Sequence, residues 1–295
     1  MEEKPAAINT DQIARTLRAQ LAAVATDLRP DVLKALEDAR KSETNESAKQ
    51  TLDMLVENAL LAGTRKLPLC QDTGTVWVLI EVGSQARVDL CGLQEALDQV
   101  VADSFVSEHL RASTVRKALT DRSNPGTNEP AFIELRMLPK TGTDSDAQVT
   151  VHTMLKGAGT DNASTVAMLP PGESSQSRED SITQLVLDQV RTKGANACPP
   201  LIIGIGVGGT FDKVASLSKH ALLRPLNSPA PTKEIAQLEK CILKAVNKTG
   251  IGPAGLGGDT TALAVHIEEA PSHIASLPVA INLCCHSLRS TSTTL

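Results

Sequence analysis

The hydrophobic pattern of this chain changes period near residue 75, and two periods in one chain call for a fold that mixes helices with strands. Up to Leu61 the apolar residues recur at helical spacing. Asn9 or Thr10 is placed to cap a segment through Leu28. Pro30 suits the first turn of a second helix running toward Ser42, and a third spans Glu46 to Leu61 and ends near Gly63. Val76 to Val82, VWVLIEV, is then a continuous β-branched and apolar run of strand length.

Beyond that point the two periods alternate. Leu93 to Val106 returns to helical spacing, and Ala131–Leu138 and Gln148–Leu155 read as strands joined by the turn-rich PKTGTDSDA, as a hairpin or meander. Ser181–Arg191 is helix-like, Leu201–Val207 an apolar strand and Thr210–Leu222 a helix. The Pro-rich RPLNSPAPT leads into a helix over Lys233–Asn247, and strands follow at Thr261–Ile267 and Pro278–Leu283. No strict βαβ repeat appears, so the expected class is α+β (mixed α/β), a helical N-terminal third followed by mixed strands and helices. At 295 residues the chain can bury a sizeable core as one domain over 1–295, in one or two lobes, without disulfide staples.

Charge and composition narrow the function. The net charge is −5 with both signs dispersed, and aromatic residues make up 1% of the chain, so basic patches and stacking platforms for nucleic acid are missing. The N-terminus is acidic and polar where a secretory signal is basic and then apolar, and no stretch approaches the ~18 apolar residues of a membrane span. A cytoplasmic protein with no membrane partner is expected. The six cysteines, Cys70, Cys91, Cys198, Cys241, Cys284 and Cys285, then read as thiols or metal ligands in a reducing compartment.

Three of them stand beside strand ends and polar groups: Cys70 in PLCQDTGTVWV, Cys198 in ANACPPLIIGIG and Cys285 in NLCCHSLR. Any one alone is as well read as a buried, inert thiol. Together they point to a metal. Structural zinc takes four ligands in close pairs, and the sequence has no CxxC. An iron-sulfur cluster tolerates ligands distant in sequence, and three thiolates on a [4Fe-4S] cube leave one iron open as a Lewis acid. Cys91 and Cys241 lack comparable company and are read as structural.

The segments PLCQDTG, HLRASTV, NEPAFIE, KGAGTDN, ACPP, GVGGTFDKVASLSKHALLRPL, GIGPAGLGGDTTALAVHIE and SHIASLPVAINLCCHS resemble, in order, the alpha-type domain of class I fumarate hydratases and tartrate dehydratases. The resemblance runs from about residue 45 to Arg289. It implies a hydro-lyase acting on a small dicarboxylic acid, with Cys70, Cys198 and Cys285 ligating a [4Fe-4S] cluster. It also implies substrate-binding roles for Gln71, Arg111 and Gly159 and catalytic roles for Asp72 and His273.

Those roles suit the chemistry. Dehydration next to a carboxylate needs a proton moved, a poor leaving group expelled and enolate-like charge stabilised. Arg111 offers a fork for a carboxylate, and Gln71 and the Gly159 backbone offer uncharged hydrogen bonds. Asp72 is placed to move the proton of the departing water, and His273 to orient or share it. Simpler readings exist: Asp72 closes an Asx turn, Arg111 is a solvated helix residue, and His273 is a satisfied histidine.

CQDTGT, LRASTV and the KGxG stretch look closer to fumarase, which ranks fumarate before tartrate or mesaconate. A different class is offered by Gly204-Ile-Gly206-Val-Gly208-Gly209, which fits the G-x-G-x-x-G of dinucleotide-binding enzymes but lacks the expected second strand with its acidic residue. A non-catalytic iron-sulfur scaffold is a third reading. KGAGTDN stands where the family often has KGGGSEN, and Cys284 stands where close relatives often have Gln. Cys285 is taken as the ligand because His-Ser follows it and His273 precedes it at the family's interval. Single-chain members continue into a second domain carrying further basic residues and a threonine base. A beta subunit on a separate chain, in a hetero-oligomer, is therefore expected to complete the site.

Overall fold

The structure, a computed structural model, describes residues 7–295. In chain order the elements are β1 (Ile8–Asn9), α1 (Thr10–Thr26), α2 (Pro30–Ser42), α3 (Glu46–Arg65), β2 (Thr75–Val82), β3 (Val88–Asp89), α4 (Leu93–Ser107), β4 (Phe132–Met137) and β5 (Val149–Lys156). There follow α5 (Ala158–Asp161), β6 (Thr165–Leu169), α6 (Ser175–Lys193), β7 (Leu201–Gly209), α7 (Phe211–Ala221), α8 (Lys233–Asn247), β8 (Ala262–Ser272), β9 (Leu277–Cys284) and β10 (Arg289–Thr294). The class is the mixed α+β one read from the two periods. Among the described residues no helix is long and apolar enough to cross a membrane.

The chain divides into two compact units. The first comprises the described residues up to Asp27, Ala62–Gly157 and Arg289–Leu295. Its main sheet has the order β10-β5-β2-β4. Val76, Val78, Ile80 and Val82 of β2 join Ile13, Leu17 and Leu21 of α1 and Leu97, Val101 and Phe105 of α4 in one core. Trp77 and Leu79, on the other face of β2, are buried as well, which is why this strand reads as an unbroken apolar run. Asn9 caps α1 through a capping box with Gln12, each side chain taking the other's backbone N–H at 3.0 Å.

The hairpin expected of β4 and β5 does not form. β2 lies between them, parallel to β4 and antiparallel to β5. A strand buried on both faces needs a partner on each edge, and both turn-linked strands supply one. β5 takes its second partner from β10, RSTSTT, a polar segment with no strand signal of its own.

The second unit comprises Leu28–Leu61 and Ala158–Leu288. Its sheet has the order β6-β9-β7-β8, with β7 parallel to β8 and antiparallel to β9. Ile203, Ile205, Val279, Ile281, Val186, Val190, Ile242 and Val246 lie together in its core. The glycines of β7 have a packing explanation. A Cβ at Gly204 would stand 2.1 Å from the Ser218 carbonyl oxygen of α7, and one at Gly206 2.3 Å from that of Val214. The helix lies directly on the strand. These glycines serve helix-to-strand approach, and the dinucleotide-binding reading loses its main support.

Candidate active site

In the first unit the segment before β2 forms a tight turn. Leu69 is buried, and its N–H donates to the Ala25 carbonyl at the end of α1. Cys70 and Asp72 are half-buried and Gln71 is exposed. Asp72 Oδ1 accepts the Gly74 N–H at 3.1 Å, so the carboxylate does close an Asx turn. Gly74 has φ +78°, and a Cβ there would stand 2.3 Å from the Lys156 carbonyl oxygen, so only glycine fits.

Two side chains tie this turn to the loop carrying Arg111. The Thr73 hydroxyl donates to the Arg111 carbonyl. Asn128 is fully buried, and its Oδ1 accepts the N–H groups of Ser113 at 2.6 Å and Thr114 at 3.2 Å while its Nδ2 donates to the Gly74 carbonyl at 3.0 Å. Arg111 lies in a loop beyond α4 and is exposed, so it is not the helix residue of the simpler reading. Cys70, Gln71, Asp72 and Arg111 are thus held on two laced segments.

In the second unit, Cys198 precedes β7 and Cys285 follows β9. These strands are antiparallel, with Ile202 opposite Cys284, so both cysteines stand at one end of the sheet. Cys198 is exposed and adopts a left-handed conformation, φ 53° and ψ 64°, uncommon for a residue with a side chain. Its carbonyl accepts the backbone N–H of His286 at 3.4 Å and lies 3.0 Å from His286 Nδ1. Cys285 Sγ is 3.1 Å from the Ser287 hydroxyl. Cys284 is buried within β9, whereas Cys285, just past the strand, is half-buried. Gly159, in the short α5, belongs to the same end: a Cβ on it would stand 3.5 Å from the Asn196 carbonyl oxygen, two residues before Cys198.

His273 is not brought to this end. It lies in the turn between β8 and β9, exposed, with its Nδ1 accepting the Ala275 N–H at 3.1 Å. The length of β9, roughly 23 Å at ~3.3 Å per residue, separates it from Cys285 of its own chain. Cys91 and Cys241 are exposed, and none of the six cysteines is in a disulfide. Among the described residues no three His, Cys, Asp or Glu side chains are grouped to hold one metal ion. A cubane is larger than one ion, and its ligand sulfurs stand correspondingly farther apart.

Arg289 gave no signal in the sequence. It opens β10, is 2% exposed, and its Nη2 donates to the Asp72 carbonyl at 2.9 Å. Its Nε and Nη1 are buried without a hydrogen-bond partner. The turn that carries Cys70 and Asp72 is therefore backed by a buried cation.

Two relatives are similar to this chain over most of its length. "Putative L(+)-tartrate dehydratase subunit alpha" of Methanocaldococcus jannaschii is 38% identical over 258 residues, covering 86% of this chain and 87% of the relative. L(+)-tartrate dehydratase subunit alpha of Escherichia coli K12 is 30% identical over 269 residues, covering 91% and 86%. Residues 14–294 match the family described as fumarate hydratase (Fumerase), a span that takes in most of each unit, and the chain belongs to that family.

Proposed function

We propose that this chain is the alpha-type subunit of a hydro-lyase that removes water from a hydroxylated dicarboxylic acid of the L-tartrate kind, with a [4Fe-4S] cluster held by the thiolates of Cys70, Cys198 and Cys285. The observation that carries this reading is that relatives matched over most of both chains are named L(+)-tartrate dehydratase subunit alpha. That reverses the ranking of fumarate before tartrate, which rested on short motifs shared across the family.

The donor set fits a cluster. Three cysteines free of disulfides, two half-buried and one exposed, offer the soft thiolates that iron-sulfur groups take. When bound, such a cluster leaves one iron free to act as a Lewis acid toward the departing hydroxyl.

The chain's own residues supply binding and proton transfer. Arg111, its loop fixed by Thr73 and Asn128, presents a guanidinium fork to one substrate carboxylate. Gln71 and the Gly159 backbone add uncharged hydrogen bonds. Asp72 is held by the Gly74 N–H and by Arg289 on its carbonyl, so its carboxylate is positioned before substrate arrives to move the proton of the leaving water. The part implied for His273 rests on the resemblance alone. The relatives' designation as subunit alpha supports a beta partner that completes the site.

Anaerobic steady-state assays with L-tartrate, fumarate and mesaconate, on the cluster-loaded chain alone and mixed with a beta-type protein, test the proposal. L-tartrate is expected to be turned over fastest, and only in the mixture. Fumarate as the best substrate would overturn the substrate assignment, and equal rates without the partner would overturn the two-subunit reading. A loaded mixture that neither dehydrates L-tartrate nor hydrates fumarate or mesaconate would favour the scaffold reading.

A further inference from the structure

Strand β4 ends the main sheet of the first unit, and its outer edge is open. In the order β10-β5-β2-β4 it pairs, among the described residues, with β2 alone. The Leu138 N–H donates to the Val82 carbonyl at 2.9 Å. Peptide groups of successive residues in a strand turn to opposite edges. Phe132, Glu134 and Arg136 therefore bond β2, and the N–H and C=O groups of Ile133, Leu135 and Met137 point away from it. Such an edge is a template for another strand, and natural proteins commonly blunt it with lysine, proline or a bulge. Here the register with β2 runs without a shift, and Pro130 and Pro139 stand outside the strand.

The side chains point the same way. Ile133 is partly buried against the core shared by α1 and α4, yet Leu135 and Met137, on the same face, are 53% and 69% exposed. The opposite face carries Glu134 and Arg136, one charge of each sign, with Arg136 3.2 Å from Glu81 of β2.

These features fit a second copy of this chain. Two β4 strands related by a twofold axis at Leu135 would run antiparallel, with Leu135 opposite Leu135, Ile133 opposite Met137 and Glu134 opposite Arg136. The outward-facing residues then meet, and each such pair exchanges both of its N–H···O bonds. Met137 comes to lie beside the partly buried Ile133 of the other copy. On the other face the axis makes the Glu134–Arg136 pair twice, at positions where cross-strand side chains approach most closely. Neighbouring registers fail. Moving the axis to the next residue on either side puts Glu134 opposite Glu134 or Arg136 opposite Arg136. Moving it half as far sets outward-facing peptide groups against inward-facing ones.

We infer that β4 is a homotypic interface, through which two copies of this chain join their first-unit sheets into one continuous sheet. This contact is additional to the beta-type partner of the proposed function and does not depend on it.

The test is sedimentation velocity over a concentration series, on the full chain and its variants, alone and with a beta-type protein, together with hydrogen exchange of residues 131–139. Wild type is expected to reach twice the chain mass without the partner, with the amides of Ile133, Leu135 and Met137 protected in step with dimer formation. Leu135→Pro is expected to be a folded monomer, because the Leu135 N–H faces away from β2 and proline there spares the chain's own ladder. Glu134→Arg and Arg136→Glu each set like charges opposite one another twice, and each should raise the dimer Kd about tenfold or more. Mixed together, these two variants restore opposite charges at both positions and should dimerise with each other about as tightly as wild type. A wild type that stays monomeric alone overturns the inference, including the case in which only the beta-type protein protects these amides. So does a dimer that survives Leu135→Pro, or charge variants that dimerise like wild type or fail to pair when mixed. The charge variants leave the backbone unchanged, so they decide the matter if the proline variant does not fold.

Discussion

The turn around Cys70 and the sheet end around Cys198 and Cys285 are fixed by different means. In the first unit the candidate residues sit on loops held by individual side chains: Thr73 on the Arg111 carbonyl, Asn128 on three backbone groups, Arg289 on the Asp72 carbonyl. In the second unit the cysteines are placed by backbone, through the register of β7 and β9 and the seating of α7 on glycines of β7. The difference separates fold from function by mutation. Trimming one side chain should loosen the first region while the fold survives, whereas the second should yield only to changes that disturb packing.

The largest effect expected is at Gly204. Gly204→Val puts a branched side chain where even a Cβ lies 2.1 Å from the Ser218 carbonyl oxygen. The cost exceeds the usual ~1–3 kcal/mol of overpacking because backbone must move. Loss of the cooperative melt is the expected result. A wild-type melt would show that α7 does not hold β7 as described.

The next effect is one of pH, also in the second unit. His266 is buried, and burial together with the nearby charge of Arg224 lowers its pKa from 6.5 to about 4. The unfolded chain takes up this proton below pH 6.5, the folded one only near 4. Stability is therefore complete above 6.5 and falls as pH drops toward 4, by ~3 kcal/mol at the limit. Urea titrations at pH 7 and pH 4.5 should show the fall, and His266→Gln should flatten it. An equal fall in the variant would assign it to other groups.

Smaller effects fall on the first unit. Asn128→Ala leaves two N–H groups and a carbonyl to find new partners, and a loss of ~1–3 kcal/mol is expected if one of the three stays stranded. Chemical denaturation reads that loss, and the loosened Arg111 loop should raise KM for the dicarboxylate. Thr73→Val removes one hydrogen bond to the Arg111 carbonyl, worth ~1 kcal/mol. An unchanged KM in both variants would mean that the lacing holds the fold without positioning Arg111.

Much of the fold was legible wherever local physics decides it. VWVLIEV, the Asn9 cap and Pro30 at the start of α2 mark their elements without help from the rest of the chain. Strand pairing was not legible, because the turn between β4 and β5 fixes their proximity but not the strand inserted between them. β10 carries no apolar alternation and is a strand only because β5 offers an edge.

The site shows the same division. Cys70 and Asp72 share a short motif that folds as one turn, and Asn128 lay inside a recognised segment, NEPAFIE, where its φ of +63° allows the sharp backbone course. Arg289 left no trace, since burial of a charged residue depends on contacts far along the chain. His273 differs: the interval between it and Cys285 is a strand, and its part rests on the resemblance alone.

Iron and acid-labile sulfide per chain, measured after anaerobic reconstitution of wild type and six single Cys→Ser variants, test the account most directly. The expected result is one [4Fe-4S] cluster in wild type and in the variants at Cys91, Cys241 and Cys284, with loss at Cys70, Cys198 and Cys285. Retention at any of those three positions, or loss at Cys284 in place of Cys285, would contradict the assignment.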